Sequence, residues 1–218
     1  MGRLFARFSV MFLVAVLTAC ATPRPPSSPQ ESPWRTSANF FAQQEADYQD
    51  LDSWRYMAKV GVTTAEGRDQ ASMDWNFVDQ ANSIRLYGPL GLGAVRIEFD
   101  DNGVVLADNK GVRHRGDNVQ ELLYQITGWP IPVDALTQWL FLLPNKDTTF
   151  RYRLNDQGQL QTLEQMGWSI DYADYKDYSG KLMPRKITAT YIGSSSVNGS
   201  GADESQVKVR LISKRWQW

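Results

Sequence analysis

The chain has 218 residues, in which 23 lysine and arginine residues face 24 aspartate and glutamate residues, for a formal net charge of −1. This balance argues against a nucleic-acid partner, which needs a clustered basic face, and against a polybasic membrane patch. With one cysteine in the sequence, no internal disulfide can form, so a packed core must stabilise the domain.

Residues 1–19 are typical of a secretory signal peptide. Arg3 and Arg7 precede an apolar stretch of about ten residues, which is shorter than the roughly 20 that a spanning helix needs. The stretch ends in Leu17-Thr18-Ala19-Cys20 and resembles a bacterial lipobox. That resemblance implies that Cys20 carries a diacylglyceryl thioether and becomes the acylated first residue. The alternative is a chance cysteine beside an ordinary signal peptide.

The residues after Cys20 predict a location and a tether. Ala21 stands where an aspartate would indicate retention in the inner membrane, so we expect a lipid anchor in the outer membrane, facing the periplasm. Residues 20–36 are rich in proline and serine, which favours an extended tether over a folded segment. The folded domain is therefore predicted over residues 37–218.

An antiparallel meander is predicted after a short amphipathic helix within residues 39–50. Apolar and polar residues alternate over residues 54–62 and 71–77, which is typical of strands with one buried and one solvated face. The same alternation indicates further strands at 84–87, 95–99, 104–107, 150–154, 160–164, 168–172, 187–192 and 207–212. Between the last two, the Ser-, Gly- and Asn-rich residues 194–205 predict a flexible loop.

Two helices interrupt these strands. Asp117 is expected to cap the first, with Gln120 as its partner, and Gly128 to end it. After a Trp-Pro-Ile-Pro break, the second begins near Val133 and is expected to run until Pro144. Strands, two helices and then strands predict a mainly β fold: an unclosed antiparallel β-barrel with a helical lid around an apolar cavity.

Several motifs in this order resemble the LolB family of outer-membrane lipoproteins, over nearly the whole mature domain. They are Gly88-Pro89-Leu90-Gly91, Gly128-Trp129-Pro130-Ile131-Pro132, Gln138-Trp139-Leu140, Leu143-Pro144, Gln165-Met166-Gly167-Trp168 with Tyr172 and Tyr175, then Pro184 and Trp216. Leu142 departs from the family pattern, which has a glycine there, and the 194–205 loop is longer than the pattern.

The resemblance implies a protein that accepts acylated lipoproteins from the periplasmic carrier LolA and places their acyl chains in the outer membrane. Its partners would be LolA, the acylated cargo and outer-membrane lipid. The transfer needs no nucleotide, metal or other cofactor, and the tether and the task suggest a monomer. The alternative is a structural or scaffolding envelope lipoprotein with a filled core and a protein-binding surface.

Apolar side chains of the predicted strands and second helix are candidates for the lining of an acyl-chain cavity. They are Trp54, Tyr56, Trp75, Phe77, Ile84, Leu86, Trp139 and Leu140. The set is rich in tryptophan and tyrosine, which favours a partly open interior over a plain aliphatic core. A closed core remains the alternative reading for each of them.

A second candidate site follows the strand at 84–87. Glycine and proline force a turn there and leave apolar side chains where the chain should be exposed. Its residues are Gly88, Pro89, Leu90, Gly91 and Leu92. In the LolB family a protruding loop with an exposed leucine is thought to enter the membrane, and Leu90 matches that position. The alternative is that Leu90 folds back onto the sheet.

The sequence does not favour an enzyme. His114 is the single histidine and lies between two arginines, so nucleophile triads and histidine-based zinc sites lack partners. The pairs Asp100-Asp101 and Asp171 with Asp174 are explained by turns and solubility. No catalytic residue and no metal ligand is therefore predicted.

Overall fold

One antiparallel sheet dominates the computed structural model, which describes residues 32–88, 94–127, 131–193 and 207–218. Its strands are β1 (Ser53–Thr64), β2 (Gly67–Val78), β3 (Ala81–Tyr87), β4 (Ala94–Asp100), β5 (Gly103–Ala107), β6 (Arg113–Gly116), β7 (Phe150–Leu154), β8 (Leu160–Gln165), β9 (Trp168–Tyr178), β10 (Lys181–Tyr191) and β11 (Lys208–Gln217). Each predicted strand is present, and β9, β10 and β11 are longer than the alternation indicated.

The strand order is β6-β5-β4-β3-β2-β1-β11-β10-β9-β8-β7. The first and last strands of the chain are therefore paired at the centre of the sheet. Among the strands that the structure describes, β6 and β7 form the two edges and do not pair with each other. The prediction of an unclosed antiparallel sheet is confirmed.

Part of the β7 edge is covered by the chain that leads into the domain. Arg35 and Tyr152 exchange two backbone hydrogen bonds of 2.8 Å. The Trp34 ring lies 4.4 Å from the guanidinium carbon of Arg151 and 4.0 Å from that of Arg153, within the range of cation–π attraction. Covering an edge in this way protects it from pairing with another chain.

Short helices precede and interrupt the sheet. A 3₁₀ turn (Ala38–Phe41) leads into α1 (Ala42–Gln49), and α2 (Val119–Thr127) and α3 (Val133–Leu140) follow β6. The predicted cap at Asp117 is wrong by one residue. The Asn118 side chain accepts a 2.9 Å hydrogen bond from the Glu121 N–H, because α2 begins at Val119 and asparagine caps as well as aspartate.

The end of α3 differs from the prediction. The helix ends at Leu140, before Pro144, because Leu142 adopts a left-handed φ of 62°. The Leu142 N–H then donates to the Trp139 carbonyl (3.1 Å), and the Leu143 N–H to that of Gln138 (2.9 Å), which is a Schellman turn. Glycine favours this conformation, which explains why the family pattern has one. A leucine pays about 1 kcal/mol in strain, and its burial offsets that cost.

The inward faces of the strands and both later helices form one hydrophobic core. Its most enclosed side chains include Trp75, Trp139, Leu163, Ile170 and Leu211. None of the helices in the described ranges has the length and apolar character required to cross a bilayer.

Candidate functional site

The eight predicted cavity residues come together in this core. Register places Tyr56, Trp75 and Ile84 side by side on β1, β2 and β3, and it places Trp54 opposite Phe77 and Met73 opposite Leu86. From the other side, α3 brings Trp139 and Leu140 against the sheet, and both are at most 1% exposed. Phe77 and Leu86 are half-buried, while the other six are buried. In this structure the eight side chains pack as core.

α3 is hydrogen-bonded to the β8–β9 side of the sheet through a set of residues that we call the Gln165 network. The Gln165 side-chain oxygen accepts from the Trp139 indole N–H (3.1 Å) and from the Asn145 backbone N–H (2.8 Å), while its amide donates to the Asn145 carbonyl (2.7 Å). The Tyr172 hydroxyl donates to the Trp139 carbonyl (3.1 Å), and burial raises the pKa of that hydroxyl well above its usual value. Every bond of this network is made between buried or half-buried groups.

On the β1–β11 side, the end of α3 meets the sheet through aromatic packing, in a group that we call the Phe141 cluster. The Phe141 ring lies 5.2 Å from both the Trp54 and the Trp216 ring, 4.4 Å from Tyr48 in α1 and 6.2 Å from Trp218. Trp54 and Trp216 are 6.1 Å apart. The indole N–H groups of these two are buried, and neither has an acceptor among the described residues.

A short polar chain lies beside this cluster and is complete. Tyr56 contacts Trp216 ring to ring at 4.3 Å, and its hydroxyl is 2.9 Å from the Ser213 hydroxyl, which donates to the Pro184 carbonyl at 3.1 Å. Burial raises the pKa of Tyr56. These hydrogen bonds show that buried polar groups on the β1–β11 side can find partners. The missing partners are therefore particular to the indoles of Trp54 and Trp216.

The outer face of the sheet carries a row of cations. Arg85 and Arg96 are directly opposite each other on β3 and β4, and Arg113 on β6 follows beyond Ala107. Like charges that face each other across strands repel. Two carboxylates lie beside this row, since Arg85 also faces Asp74 on β2 and Arg96 lies 3.8 Å from Glu98. The balanced overall charge did not indicate this row, because strand register brings together residues that are far apart in sequence.

A groove of about 880 Å³ also crosses the outer face, farther along the same strands. Its lining includes Asn76, Ser83, Glu98, Val105 and Arg115, which are outward-facing neighbours on β2 to β6. None of the eight predicted cavity residues lines it. The lining also includes Val104, which belongs to the hydrophobic core, and Phe99, which packs against it, so the groove reaches one edge of that core.

Several predicted residues fall outside the described ranges or outside the core. Gly88 is described and half-buried, but Pro89, Leu90, Gly91 and Leu92 lie outside the described residues, as does Cys20. The 194–205 loop and Gly128 also lie outside them. His114 is on β6, with its Nε2 3.9 Å from an Asp108 carboxylate oxygen. The described ranges hold no group of three His, Cys, Asp or Glu residues that could bind a metal.

Three residues of the interior were not predicted as part of a site. Gln165 occupies an inward position of β8, two residues after Leu163, and a glutamine at such a position is a recognisable signal of a buried hydrogen bond. Trp216 occurs in the family motifs, but its partner Trp54 is far away in sequence. Phe141 carries no signal beyond being apolar after a helix.

A solved structure defines the class of fold. A LolA superfamily protein from Nitrosomonas europaea superposes with a TM-score of 0.52, over 84% of this chain and 93% of the other, at 10% identity. At this identity the likeness concerns the fold alone. The shared fold is that of the antiparallel sheet with short helices described above.

Sequence relatives define the family. An outer-membrane lipoprotein LolB from Chromohalobacter salexigens is 31% identical, over 95% of this chain and 88% of that protein, and one from Pseudomonas syringae is 29% identical over 98% and 97%. The family described as outer membrane lipoprotein LolB matches residues 52–216, which span the sheet from β1 into β11. The chain belongs to the LolB family, a family of lipoprotein localisation.

Proposed function

We propose that this protein accepts acylated lipoproteins from the soluble periplasmic carrier LolA and inserts their acyl chains into the outer membrane. Membership of the LolB family supports the proposal. The observation that carries it is the uneven attachment of α3 over the apolar interior. The helix is hydrogen-bonded to the sheet on the β8–β9 side, whereas on the β1–β11 side the described residues contact its end through the aromatic ring of Phe141.

The physical task is to carry acyl chains through water. Exposing a chain of about 16 carbons costs on the order of 12 kcal/mol, at about 0.8 kcal/mol per CH₂. An interior lined by Trp54, Tyr56, Trp75, Phe77, Ile84, Leu86, Trp139 and Leu140 removes that cost without covalent chemistry. Because the transfer exchanges one apolar environment for another, it needs no bound nucleotide.

In this account the interior opens at the Phe141 cluster. Moving Phe141 away from Trp54 and Trp216 breaks ring contacts but no hydrogen bond of the Gln165 network. Aromatic contacts re-form readily around another apolar group, so an acyl chain can replace the Phe141 ring at modest cost. The Gln165 network meanwhile keeps α3 attached to β8 and β9.

Delivery is assigned to the segment between β3 and β4, with Leu90 as the side chain that enters the membrane. Tyr87 and Ala94 are the paired residues at the two ends of this segment. Arg85 lies two residues before Tyr87 on β3, and Arg96 lies two residues after Ala94 on β4. Two residues of strand span about 7 Å, so both cations lie within about a Debye length of the two ends of this segment. An anionic lipid surface would attract both cations and relieve the repulsion that Asp74 and Glu98 leave uncompensated.

An in vitro transfer assay tests the delivery step. Leu90→Glu should leave folding and acceptance of the cargo intact and block its transfer into liposomes. Leu182→Glu is the matched control, because Leu182 is an exposed leucine on β10, away from this segment. Unchanged delivery by Leu90→Glu, or equal loss in both variants, would refute the role of Leu90.

The anchor is a separate part of the proposal. Acylated Cys20 would hold the receptor in the outer membrane while the folded domain performs the transfer. Cys20→Ala should therefore place the protein outside the membrane fraction and leave cargo binding unchanged. Loss of binding in a folded Cys20→Ala protein would show that anchor and acceptor are not separable.

The packed interior favours one competing function, that of a scaffolding lipoprotein with a filled core. Trp54, Tyr56, Trp75, Ile84, Trp139 and Leu140 are all buried in this structure. A titration with bis-ANS separates the two functions. Dye that binds the folded protein and is displaced by acylated, but not by unacylated, lipoprotein supports the acceptor; no dye binding supports the scaffold.

A further inference from the structure

Two tryptophans of the interior have an unused hydrogen-bond donor. Trp54 and Trp216 are each 3% exposed, and their indole N–H groups have no acceptor among the described residues. Two other interior tryptophans show the usual situation. Trp75 donates to the Asn82 side chain at 2.9 Å, and Trp139 donates to Gln165 at 3.1 Å. Buried donors in folded proteins are nearly always paired, so two unpaired donors in one place need an explanation.

The two donors share one location. Trp54 is on β1 and Trp216 on β11, their rings are 6.1 Å apart, and both pack against Phe141 at 5.2 Å. In the proposed function, Phe141 moves away from these two rings when the interior opens. A group that takes its place therefore lies against both indole rings, which carry the two unpaired donors.

The surroundings limit the chemistry of such a group. The neighbouring rings are those of Tyr56, Trp75, Phe77 and Trp218, so the site is aromatic. A carboxylate or phosphate would lose its hydration among these rings, which is costly, and the Lys181 ammonium lies over Trp218, 5.5 Å from its ring, rather than over Trp54 or Trp216. An uncharged carbonyl oxygen is an acceptor only and fits an indole, which is a donor only. The site therefore suits an apolar ligand that carries two or more ester or amide carbonyls.

We propose that the indole N–H groups of Trp54 and Trp216 bind the ester carbonyl oxygens at the head of the cargo's acyl chains. The acylated cysteine of a lipoprotein has two such esters on adjacent glyceryl carbons, close enough for two neighbouring donors. The inference rests on the proposed function and adds to it a polar recognition element, so that the interior selects the linkage as well as the hydrocarbon.

The test compares two synthetic lipopeptides that differ only in this linkage, one with ester-linked chains and one with ether-linked chains. Both are titrated against the mature chain from residue 20 carrying Cys20→Ala, since its own acyl chains would compete. Displacement of bis-ANS gives both affinities. The measured quantity is their ratio, which cancels differences in hydrophobicity when it is compared between protein variants.

Replacing both tryptophans, in Trp54→Phe with Trp216→Phe, should lower the ester-to-ether affinity ratio about tenfold, as expected for the loss of two modest hydrogen bonds. Each single variant should lose part of that preference. Trp168→Phe is the matched control, because Trp168 is a buried tryptophan on β9 that belongs neither to the eight lining residues nor to the Phe141 cluster, and it should keep the ratio of the unmodified protein.

The same ratio in the double variant and the unmodified protein would overturn the inference. If the double variant does not fold, the two single variants decide, and an unchanged ratio in both overturns it equally. Failure of the proposed function looks different, because then neither lipopeptide would displace the dye from the unmodified protein.

Discussion

The two sides of α3 hold it to the sheet by different physics. In the Gln165 network, three side chains and the backbone of Trp139 and Asn145 satisfy one another with four hydrogen bonds. In the Phe141 cluster, five aromatic rings pack together, but two indole donors have no partner among the described residues. Hydrogen-bonded networks fix one arrangement, whereas ring contacts tolerate exchange. The difference indicates which side is structural and which can admit a ligand.

The largest predicted effect is on the hydrogen-bonded side. Gln165→Ala leaves the Trp139 N–H and both Asn145 backbone groups without their partner, so the free energy of unfolding should fall by about 4 kcal/mol. Gln161→Ala, an exposed glutamine on the same strand, should change it by less than about 0.5 kcal/mol. Denaturant titration measures the free energy of unfolding of both variants. Equal losses would mean that the Gln165 network does not stabilise the β8–β9 side of α3.

The second prediction concerns the aromatic side. Phe141→Ala should lower the free energy of unfolding by about 3 kcal/mol through the cavity it creates, and it should raise the affinity for bis-ANS. Leu163→Ala, a fully buried truncation on β8, should be similarly destabilising without increasing dye binding. If both variants increase dye binding alike, opening is not confined to the Phe141 cluster.

The same tryptophan-to-phenylalanine substitution can be made on each side of α3, which compares the two sides directly. Trp139→Phe and Trp216→Phe remove the same atoms from buried sites, but only the first breaks a hydrogen bond. Trp139→Phe should therefore be more destabilising by about 1–2 kcal/mol. Chemical unfolding of both variants gives this difference, and a larger loss for Trp216→Phe would mean that its N–H has a partner in solution.

The smallest effect is expected on the outer face. The Arg55 guanidinium donates to Asp74 at 2.8 and 2.5 Å and holds the pKa of that carboxyl below its usual value. The pair's stabilisation is therefore full above the unfolded pKa of about 3.9 and is lost as the pH falls below it. Asp74→Asn should cost about 1 kcal/mol at pH 7, a figure that allows for the partial exposure of Arg55, and converge with the unmodified protein in acid. Dye binding should not change, and a change would link the outer face to the interior.

Much of the fold was predictable from the sequence, because alternation along a strand depends on local residues. Trp54, Trp75 and Ile84 faced inward as the period of two indicated. The limits of the helices were less predictable. Asn118 and Asp117 are both good caps, and Leu142 adopts a backbone conformation that its type disfavours.

The contacts on the two sides of α3 could not be predicted from the sequence. The contact between Trp54 and Trp216 depends on the pairing of the first and last strands, and the bond between Trp139 and Gln165 depends on how α3 lies across β8. Both are long-range contacts that no local pattern encodes. The alternation identified apolar candidates for the interior, but the unpaired donors became visible only in three dimensions.

Hydrogen exchange of the mature chain carrying Cys20→Ala, with and without an ester-linked triacylated lipopeptide, tests the central claim most directly. Bound lipopeptide should change amide exchange in residues 54–56, 141–143 and 211–216, where the Phe141 cluster lies. Exchange in residues 163–170, which include Gln165, should stay the same. A change confined to residues 163–170, or equal in both regions, would contradict entry of the acyl chains at the Phe141 cluster.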